Sequence, residues 1–425
     1  MTVRILLLDP SGPEAGALIA AAESRGYQVH GVLSRHGPHT SPCPPALASR
    51  LPVDFTQPDC ALHEVVDHAR LIRADAALTT NEYLTPLLAT VCAALGLPGN
   101  DPSRAIAARN KILMQEAFRR SRVATPRSLV IHNPEHALQR LTTLGWPFPC
   151  VVKPAATAGS AGVTVVHNGE NLAAAWADAR TARPMHGLLA DPRVLLQEHL
   201  DGAEYSVESL TQDGRTTHLC ITRKLVTSGP HRVEIGHSLP TRLPITTERA
   251  ILKQAERAIT AVGIRNGASH TEVIVRPYAV CSVIEIGARI GAGRIGLLLQ
   301  HALGIDPWAA LLDIALGRPA DLTPTRRGYA TIRFITSSRT GLFRGAEGLP
   351  TRGPHVPEVQ LRARPGAAVH EARRNSDRIG HFIVTGTSPA TVERYAQRLH
   401  AAVTVDVQPA PATTPSPDPV PVRKR

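Results

Sequence analysis

The sequence predicts an α/β protein assembled from α+β subdomains, on three observations. An apolar run at residues 3–8 is followed by a turn, a helical stretch and a second apolar run at 28–33, the pattern of a βαβ unit. Residues 270–295, HTEVIVRPYAVCSVIEIGARIGAGRI, hold two apolar runs flanking a Pro-Tyr break, the pattern of an antiparallel hairpin. Strand-like and helical stretches alternate elsewhere along 425 residues, enough for two to four domains with a substantial core.

Taken in order, the chain opens with the strand at 3–8, the turn Asp9-Pro10-Ser11-Gly12, a helix at 15–25 ending at Gly26, and the strand at 28–33. The first turn lacks Gly-x-Gly-x-x-Gly, so no dinucleotide site is expected there. A strand at 74–80 puts Asn81 and Glu82 at its carboxyl end, where open α/β sheets place ligand contacts. A helix at 84–95 ends at Gly96, and residues 101–122 are helix-rich and contain Asn110-Lys111. Thr125-Pro126 resets the chain to a strand at 128–131. Asn133-Pro134-Glu135 is then a helix start, with an N-cap Asn and Pro at the first position.

Cys150-Val-Val-Lys153-Pro154 reads as a strand ending in a lysine, and leads into AATAGSAG at 155–162. Glycines and small residues between two strands make a flap whose N–H groups can close over anionic oxygens. A plain hairpin loop is the competing reading, and the missing Gly-Lys-Ser/Thr excludes a Walker A loop. A strand at 163–166 follows, and Asn168 caps a helix reaching Thr181. Strands at 194–198, 204–210 and 218–225 come next, the last two antiparallel. Residues 227–244, rich in Gly, Pro and His, are expected to loop over a site. A helix at 248–262 precedes the hairpin; helices at 294–303 and 307–316 succeed it. Strand-like runs at 331–335, 341–343 and 356–361 and a helix at 391–401 describe a smaller closing domain. The Pro/Ala/Thr/Ser end, 408–425, cannot bury enough to order itself.

A hydrophobic fraction of 43% and a charged fraction of 19% are those of a soluble globular chain. The net charge of +12 rests on arginine, because only Lys111, Lys153, Lys224, Lys253 and Lys424 are lysines. The arginines are scattered and aromatics are 4%, so nucleic acid is not an expected partner. Six widely spaced cysteines form no zinc-type cluster and read as thiols in a reducing compartment. The N-terminal apolar run is too short for a signal peptide and no segment reaches transmembrane length, so a cytoplasmic protein without membrane contact is expected.

The hairpin carries the chemistry. Pairing Arg276 with Cys281 sets Glu272 opposite Glu285 on one face of the ladder. Opposed Cβ atoms lie about 4.5–5.5 Å apart, where like charges repel. A divalent cation between them resolves the conflict, since Mg²⁺ usually takes one or two carboxylates plus phosphate oxygens. Two glutamates on the wet face of an edge hairpin is the other reading. Arg289 follows, then Gly291 and Gly293 open an apolar helical run. Gly291-Ala-Gly293-Arg-Ile-Gly296 has the form Gly-x-Gly-x-x-Gly, but the strand before it belongs to an antiparallel hairpin. An anion cradle for a carboxylate or acyl phosphate suits these glycines better.

In this order the motifs resemble the ATP-grasp superfamily, particularly its carboxylate–amine (L-amino-acid) ligases, over roughly residues 1–405. The resemblance implies an ATP-grasp fold. A Rossmann-like pre-ATP-grasp domain would span 1–105 and the ATP-grasp domain 106–320, with a nucleotide lid at 125–200 and a catalytic part at 201–320. A C-terminal α+β domain would fill 321–407, ahead of a disordered tail at 408–425.

It also implies ATP and one or two Mg²⁺ ions, with Mn²⁺ as an alternative. Lys111 and Lys153 would hold the phosphates under the flap residues Thr157, Gly159, Ser160, Ala161 and Gly162. Gln197 would face adenine, Glu198 and Leu200 would offer backbone groups to the purine edge, and Glu204 would hold the ribose. Relatives often carry Glu at the position of Gln197 and Asn at that of Gly287. Glu272 and Glu285 match the metal ligands; Glu285, Arg289 and Lys224 match the catalytic set. Glu82, His237, Gly291 and Gly293 fall at substrate positions, His237 and Pro240 matching a Gly-His…Pro segment. His237 and Glu234 are candidates for the base that receives the amine's proton. The implied activity is ATP-dependent joining of a small carboxylate, such as an amino acid or natural-product acid, to an amine. The implied partners are those small molecules, with a homodimer left open. Carboxylation of a purine precursor or biotin, and nucleotide binding with little turnover, are the alternatives.

Overall fold

The N-terminal layer is a parallel sheet of β1 (Arg4–Leu8), β2 (Gln28–Ser34), β3 (Ser49–Val53) and β4 (Ala76–Thr79), in the order β3-β2-β1-β4. This is a computed structural model, which describes residues 2–36, 46–183, 187–188 and 191–409. Cys43 and the tail beyond Pro409 lie outside them. Period-two alternation explains how the sheet is covered on both sides. Ile5 and Leu7 pack on α1 (Gly12–Glu23), while Leu6 and Leu8 pack on α2 (Pro58–Ile72) and α3 (Thr85–Leu95). A 3-10 turn, Glu82–Leu84, sits at the carboxyl end of β4 and holds Glu82 over the centre of the molecule. The helix-rich stretch after it is a 3-10 turn, Ala105–Ala108, followed by α4 (Lys111–Arg120).

Next comes an antiparallel lid sheet, β5-β8-β6-β7, with α5 (Pro134–Leu144) and α6 (Leu172–Thr181) alongside. Its strands are β5 (Ser128–Ile131), β6 (Cys150–Pro154), β7 (Thr164–Val166) and β8 (Val194–Glu198). Cys150 and Val152 enter the lid core, which frees Val151 and Lys153 for the opposite face.

An eight-stranded sheet dominates the rest, in the order β13-β12-β9-β10-β11-β14-β18-β16, with every neighbouring pair antiparallel. It contains β9 (Ala203–Gln212), β10 (Arg215–Val226), β11 (Glu234–Leu239), β12 (Gly267–Arg276), β13 (Val280–Gly287), β14 (Tyr329–Ile335), β16 (Glu358–Leu361) and β18 (Gly380–Gly386). Helix α7 (Ile245–Ala261) covers one face through Ile251, Ala255 and Ile259, which meet Val207, Val273 and Val283. Each such aliphatic side chain contributes about 1.5–3 kcal/mol on burial. Helices α8 (Ile295–Leu303), α9 (Pro307–Ala315) and α10 (Pro389–Ala402) complete the packing, and a small sheet joins β15 (Gly341–Glu347), β17 (Ala368–Val369) and β19 (Thr404–Pro409). Among the described residues no single helix is long and apolar enough to cross a membrane. The bent pair α8–α9 passes by length and composition together, but its apolar residues are core.

Three expectations need correction. The loop expected at 227–244 contains the strand β11, whose polar residues hide it from an apolar-run reading: Glu234 and His237 face an internal cleft, and Ser238 is buried against Thr331 and Glu393. Strands β18 and β19 are not among the expected elements, and β19 runs two residues into the stretch expected to be disordered. In the hairpin Arg276 pairs with Val280, not Cys281, across the turn Pro277–Ala279. That register would set Glu272 against Ile284 and turn Glu285 into the core. A bulge between Glu272 and Val273 restores the Glu272–Glu285 pairing, so Ile284 and Glu285 both face the cleft while Val283 and Ile286 enter the core.

Candidate active site

The lid sheet and the eight-stranded sheet face one another across a cleft lined by Lys111, Lys153, Gln197, Glu204, Lys224, Glu272, Glu285 and Arg289, among others. Asn110 caps α4, accepting from the N–H groups of Ile112 and Leu113, and thereby fixes Lys111 as the first helical residue. Lys111 Nζ donates to the carbonyl of Thr157 at 2.7 Å and pairs with Glu285 Oε1 at 2.8 Å. Val151 pairs with Gln197 across β6 and β8, and Lys153 Nζ donates to Gln197 Oε1 at 2.7 Å. Burial pushes the Lys153 ammonium down to about 8, against the pull of Glu285.

Gln197 is 3% exposed and its Nε2 has no hydrogen-bond partner. A buried donor left unpaired costs about 1–3 kcal/mol, and a purine ring nitrogen is an acceptor that would satisfy it. Val151, Val165, Leu200, Ile274 and Ile284 form apolar walls around this end of the cleft, as a flat heterocycle requires. Glu198 also lines the cleft, although its carboxylate pairs with Arg127. The residues present therefore fit a nucleotide.

On the opposite sheet Glu204 of β9, Lys224 of β10, Glu234 of β11 and Glu272 of β12 share one face. Lys224 Nζ lies 2.9 Å from Glu204, 3.1 Å from Glu234 and 2.6 Å from Glu272, with its side chain 1% exposed. Burial opposes the charge, but Glu204, Glu272 and Glu234 hold the ammonium well above its ordinary range. The same cation holds Glu234 and Glu272 well below theirs against the burial that opposes it. A register shift between Leu225 and Val226 brings Glu234 and His237 onto the cleft side together, with Glu234 Oε2 3.4 Å from His237 Nε2. Burial lowers the His237 pKa, which keeps the imidazole neutral near pH 7. His270 spans Glu208 and Glu272 at 2.9 and 3.3 Å; burial opposes its charge, but Glu208 raises it to about 9.

Three carboxylates on one ammonium, with Glu285 alongside, make an excess of negative charge built from hard oxygen donors. Among the described residues no group of three or more His, Cys, Asp or Glu encloses a metal ion by itself. Two opposed carboxylates without a full protein cage fit Mg²⁺, which completes its shell with water and phosphate oxygens.

The flap is clasped from several sides. Thr157 Oγ1 donates to Ala161 O, Ala158 N to Tyr83 Oη and Ser160 Oγ to Arg232 O, while Gly159 O accepts from Asn375 N. Gly159, Ser160 and Gly162 have φ of +65°, +60° and +72°, so two of three left-handed positions are glycine. Thr157, Gly159 and Ser160 line the cleft, whereas Ala161 and Gly162 lie on the outer side, beside Asp178 and Ala182.

Arg289 donates to Glu82, joining the N-terminal layer to the end of the hairpin. A Cβ at Gly291 would come 2.6 Å from His270 Nδ1, one at Gly293 2.7 Å from His237 Nε2, and one at Gly296 2.6 Å from Trp308. The glycine spacing answers to this packing. Neither Gly291 nor Gly293 lines the cleft; Ala292, between them, does.

Residues 146–296 match the ATP-grasp domain family, and residues 333–408 match L-amino acid ligase C-terminal domain 2. The chain carries an ATP-grasp domain. Carnosine synthase 1 of Gallus gallus is 27% identical over 378 residues, covering 82% of this chain and 40% of that protein. Alanine–anticapsin ligase of Bacillus subtilis is 27% identical over 278 residues, covering 61% of this chain and 58% of that one. The chain thus spans roughly half the length of these curated relatives. The crystal structure of L-amino acid ligase from Bacillus licheniformis superimposes with a TM-score of 0.81 at 23% identity, covering 96% of this chain and 99% of that one, and shows the ATP-grasp fold.

Several residues of the site carry no local sequence signature. Arg232, Asn375 and Arg378 line the cleft through long-range contacts, and Tyr83 holds the flap from outside it. His270 lay inside the hairpin motif without a role, although a histidine two residues before a glutamate on a strand shares its face.

Proposed function

We propose that this chain is an ATP-dependent carboxylate–amine ligase acting on a small acid, such as an amino acid or natural-product acid. The observation that carries the reading is one cleft in which two buried lysines face a row of carboxylates, beside an apolar slot ending in the unpaired Gln197 amide. The match at 333–408 favours a ligase over a carboxylase, and alanine–anticapsin ligase names an amino acid as one of the joined molecules.

In the proposed reaction Lys111 and Lys153 hold the triphosphate under the flap, and Glu204 takes the ribose. The substrate carboxylate oxygen attacks the γ-phosphorus in line. The bond from that phosphorus to the β-bridging oxygen breaks, giving an acyl phosphate and ADP. The amine nitrogen then attacks the acyl carbon, the carbon–oxygen bond to phosphate breaks, and the nitrogen loses a proton to neutral His237. Arg289, steadied by Glu82, stabilises charge on the transferred phosphoryl group and on the tetrahedral carbon. Mg²⁺, or Mn²⁺ in its place, held by Glu272 and Glu285, would neutralise charge on the triphosphate. The compartment proposed is the cytoplasm, where ATP is abundant and the five described cysteines, all free, stay reduced.

The test is ADP release across pairs of amino acids, with hydroxylamine present to trap an acyl phosphate as its hydroxamate. ADP release that needs bicarbonate but no amine selects the carboxylase reading, and ATP binding without ADP formation across the panel selects the regulator.

The Lys153 ammonium gives a pH prediction with a definite sign. Its folded pKa, about 8, lies below that of an unfolded lysine, so the free protein loses this proton as pH rises through 8. Bound phosphates favour the charged form. ATP binding should therefore take up close to one proton at pH 9 and far less at pH 7, with affinity falling above pH 8. Calorimetric titration in two buffers of different ionisation enthalpy measures this directly; equal heats at pH 9 would refute it.

A further inference from the structure

A cavity of about 450 Å³ lies between α2 and α3 of the N-terminal layer and the stretch that leads into the flap. It shares no described lining residue with the catalytic cleft. Phe55, Leu62, Leu84 and Leu87 give it apolar walls, and Ile106, 44% exposed, adds to them.

Arg109 is the cation of this lining among the described residues, and it is 6% exposed. Its Nη2 donates to Ala156 O at 2.6 Å, and its guanidinium lies over the Tyr83 ring, 3.9 Å from the centroid. Its Nη1 is buried and has no hydrogen-bond partner among the described residues. A charged donor enclosed in this way is costly to leave unpaired. Acids close by are engaged elsewhere: Glu82 accepts from Arg289, and Asp191 accepts from Arg193 and Asn110. Asp59, in the first turn of α2, is the remaining acid of the lining. Both aromatic and cation reach the flap. Ala156 precedes Thr157 in the chain, and Tyr83 Oη accepts from Ala158 N at 3.2 Å. Asn110, also on the lining, caps the helix that presents Lys111.

We propose that this cavity is an effector site for a small carboxylic acid with an apolar body, and that the bound acid holds the flap shut. The carboxylate accepts from the unused N–H of Arg109, and the hydrocarbon body fills the space between Leu62, Leu84, Leu87 and Ile106. A guanidinium is the side chain best matched to a carboxylate, and the volume lies within the range of about 300–1,000 Å³ common for small-molecule sites. A carboxylate at Nη1 fixes the guanidinium against Tyr83 and Ala156, which is its arrangement with the flap closed. Lifting the flap disturbs both contacts, so the acid binds the closed state better than an open one. Acid and nucleotide then favour the same state, and each raises the other's affinity by the same factor. The site lies outside the ligase reading; the sense of the coupling alone draws on the flap closing over phosphates.

The experiment is a calorimetric titration of the full chain with 3-phenylpropanoate, with and without saturating Mg-ADP. The acid should bind with a Kd of about 1 mM or tighter, and Mg-ADP should tighten it at least about fivefold. Its amide, 3-phenylpropanamide, should bind at least about tenfold more weakly, having lost a charge-assisted hydrogen bond. Arg109→Gln should erase that preference. Ile106→Trp, which fills the cavity from a partly exposed position, should abolish binding of the acid while keeping the parent's affinity for Mg-ADP. The second variant keeps a readout should the first fold poorly. No binding by the parent at millimolar acid, equal affinity for acid and amide, or unchanged affinity in Ile106→Trp overturns the proposal, the last by placing the acid elsewhere. Binding that Mg-ADP leaves unaltered also overturns it. All four outcomes leave the ligase reading intact, since none of these measurements involves turnover.

Discussion

Glu285→Gln is expected to lower kcat by about two to three orders of magnitude, the loss typical of removing a group that stabilises transition-state charge. In the proposed mechanism Glu285 takes a metal ion, and in the structure it pairs with Lys111, so its charge is needed while its shape is not. Glutamine keeps an oxygen for Lys111 Nζ, which also retains the carbonyl of Thr157. The thermal midpoint should consequently move by no more than about 1 kcal/mol of stability produces. Steady-state ADP release together with a melting curve checks both halves. Near-normal turnover in a folded variant would remove Glu285 from the mechanism.

Lys224→Met should have the largest effect on stability. The parent ammonium is shared by Glu204, Glu234 and Glu272, and methionine would leave three enclosed carboxylates facing one another. Breaking a buried ion pair from one side costs about 3–5 kcal/mol, because the remaining charge is uncompensated. Glu234 and Glu272 stay charged to unusually low pH in the parent and would be protonated more readily in the variant, so the stability deficit should shrink as pH falls from 7 toward 5. Denaturant titrations at both pH values measure it; a deficit below about 0.5 kcal/mol at pH 7, the scale of ordinary surface changes, would contradict this picture.

Much of the fold was legible because its signals are local. The βαβ opening, the Asn133-Pro134 helix start, the strand ending in Lys153 and the hairpin at 270–286 depend on neighbours in sequence, and each is found within a few residues of its expected place. The two register shifts that aim the acids were not legible, because alternation of period two assumes an unbroken ladder. One re-aims Glu285 and the other brings Glu234 beside His237. Strand β11 reads as loop for a related reason: Glu234 and His237 are buried against a cleft and Ser238 against Thr331 and Glu393, and an apolar-run criterion treats every polar residue as wet. Asn375 and Arg378 were beyond reach, since their partners Glu234 and Gly159 are more than 140 residues away in the chain.

The clasp on the flap has a consequence for the order of events during turnover. Tyr83 of the N-terminal layer, Arg232 of the central region and Asn375 near the C-terminus each hold one of three successive flap residues. Asn375 also accepts from the Glu234 backbone N–H through its side chain. Lifting the flap would therefore also release the backbone of Glu234, the acid beside His237. In the proposed reaction, nucleotide exchange and opening of the Glu234 side of the cleft would then be one mechanical act, and the shut latch would shelter an acyl phosphate from bulk water.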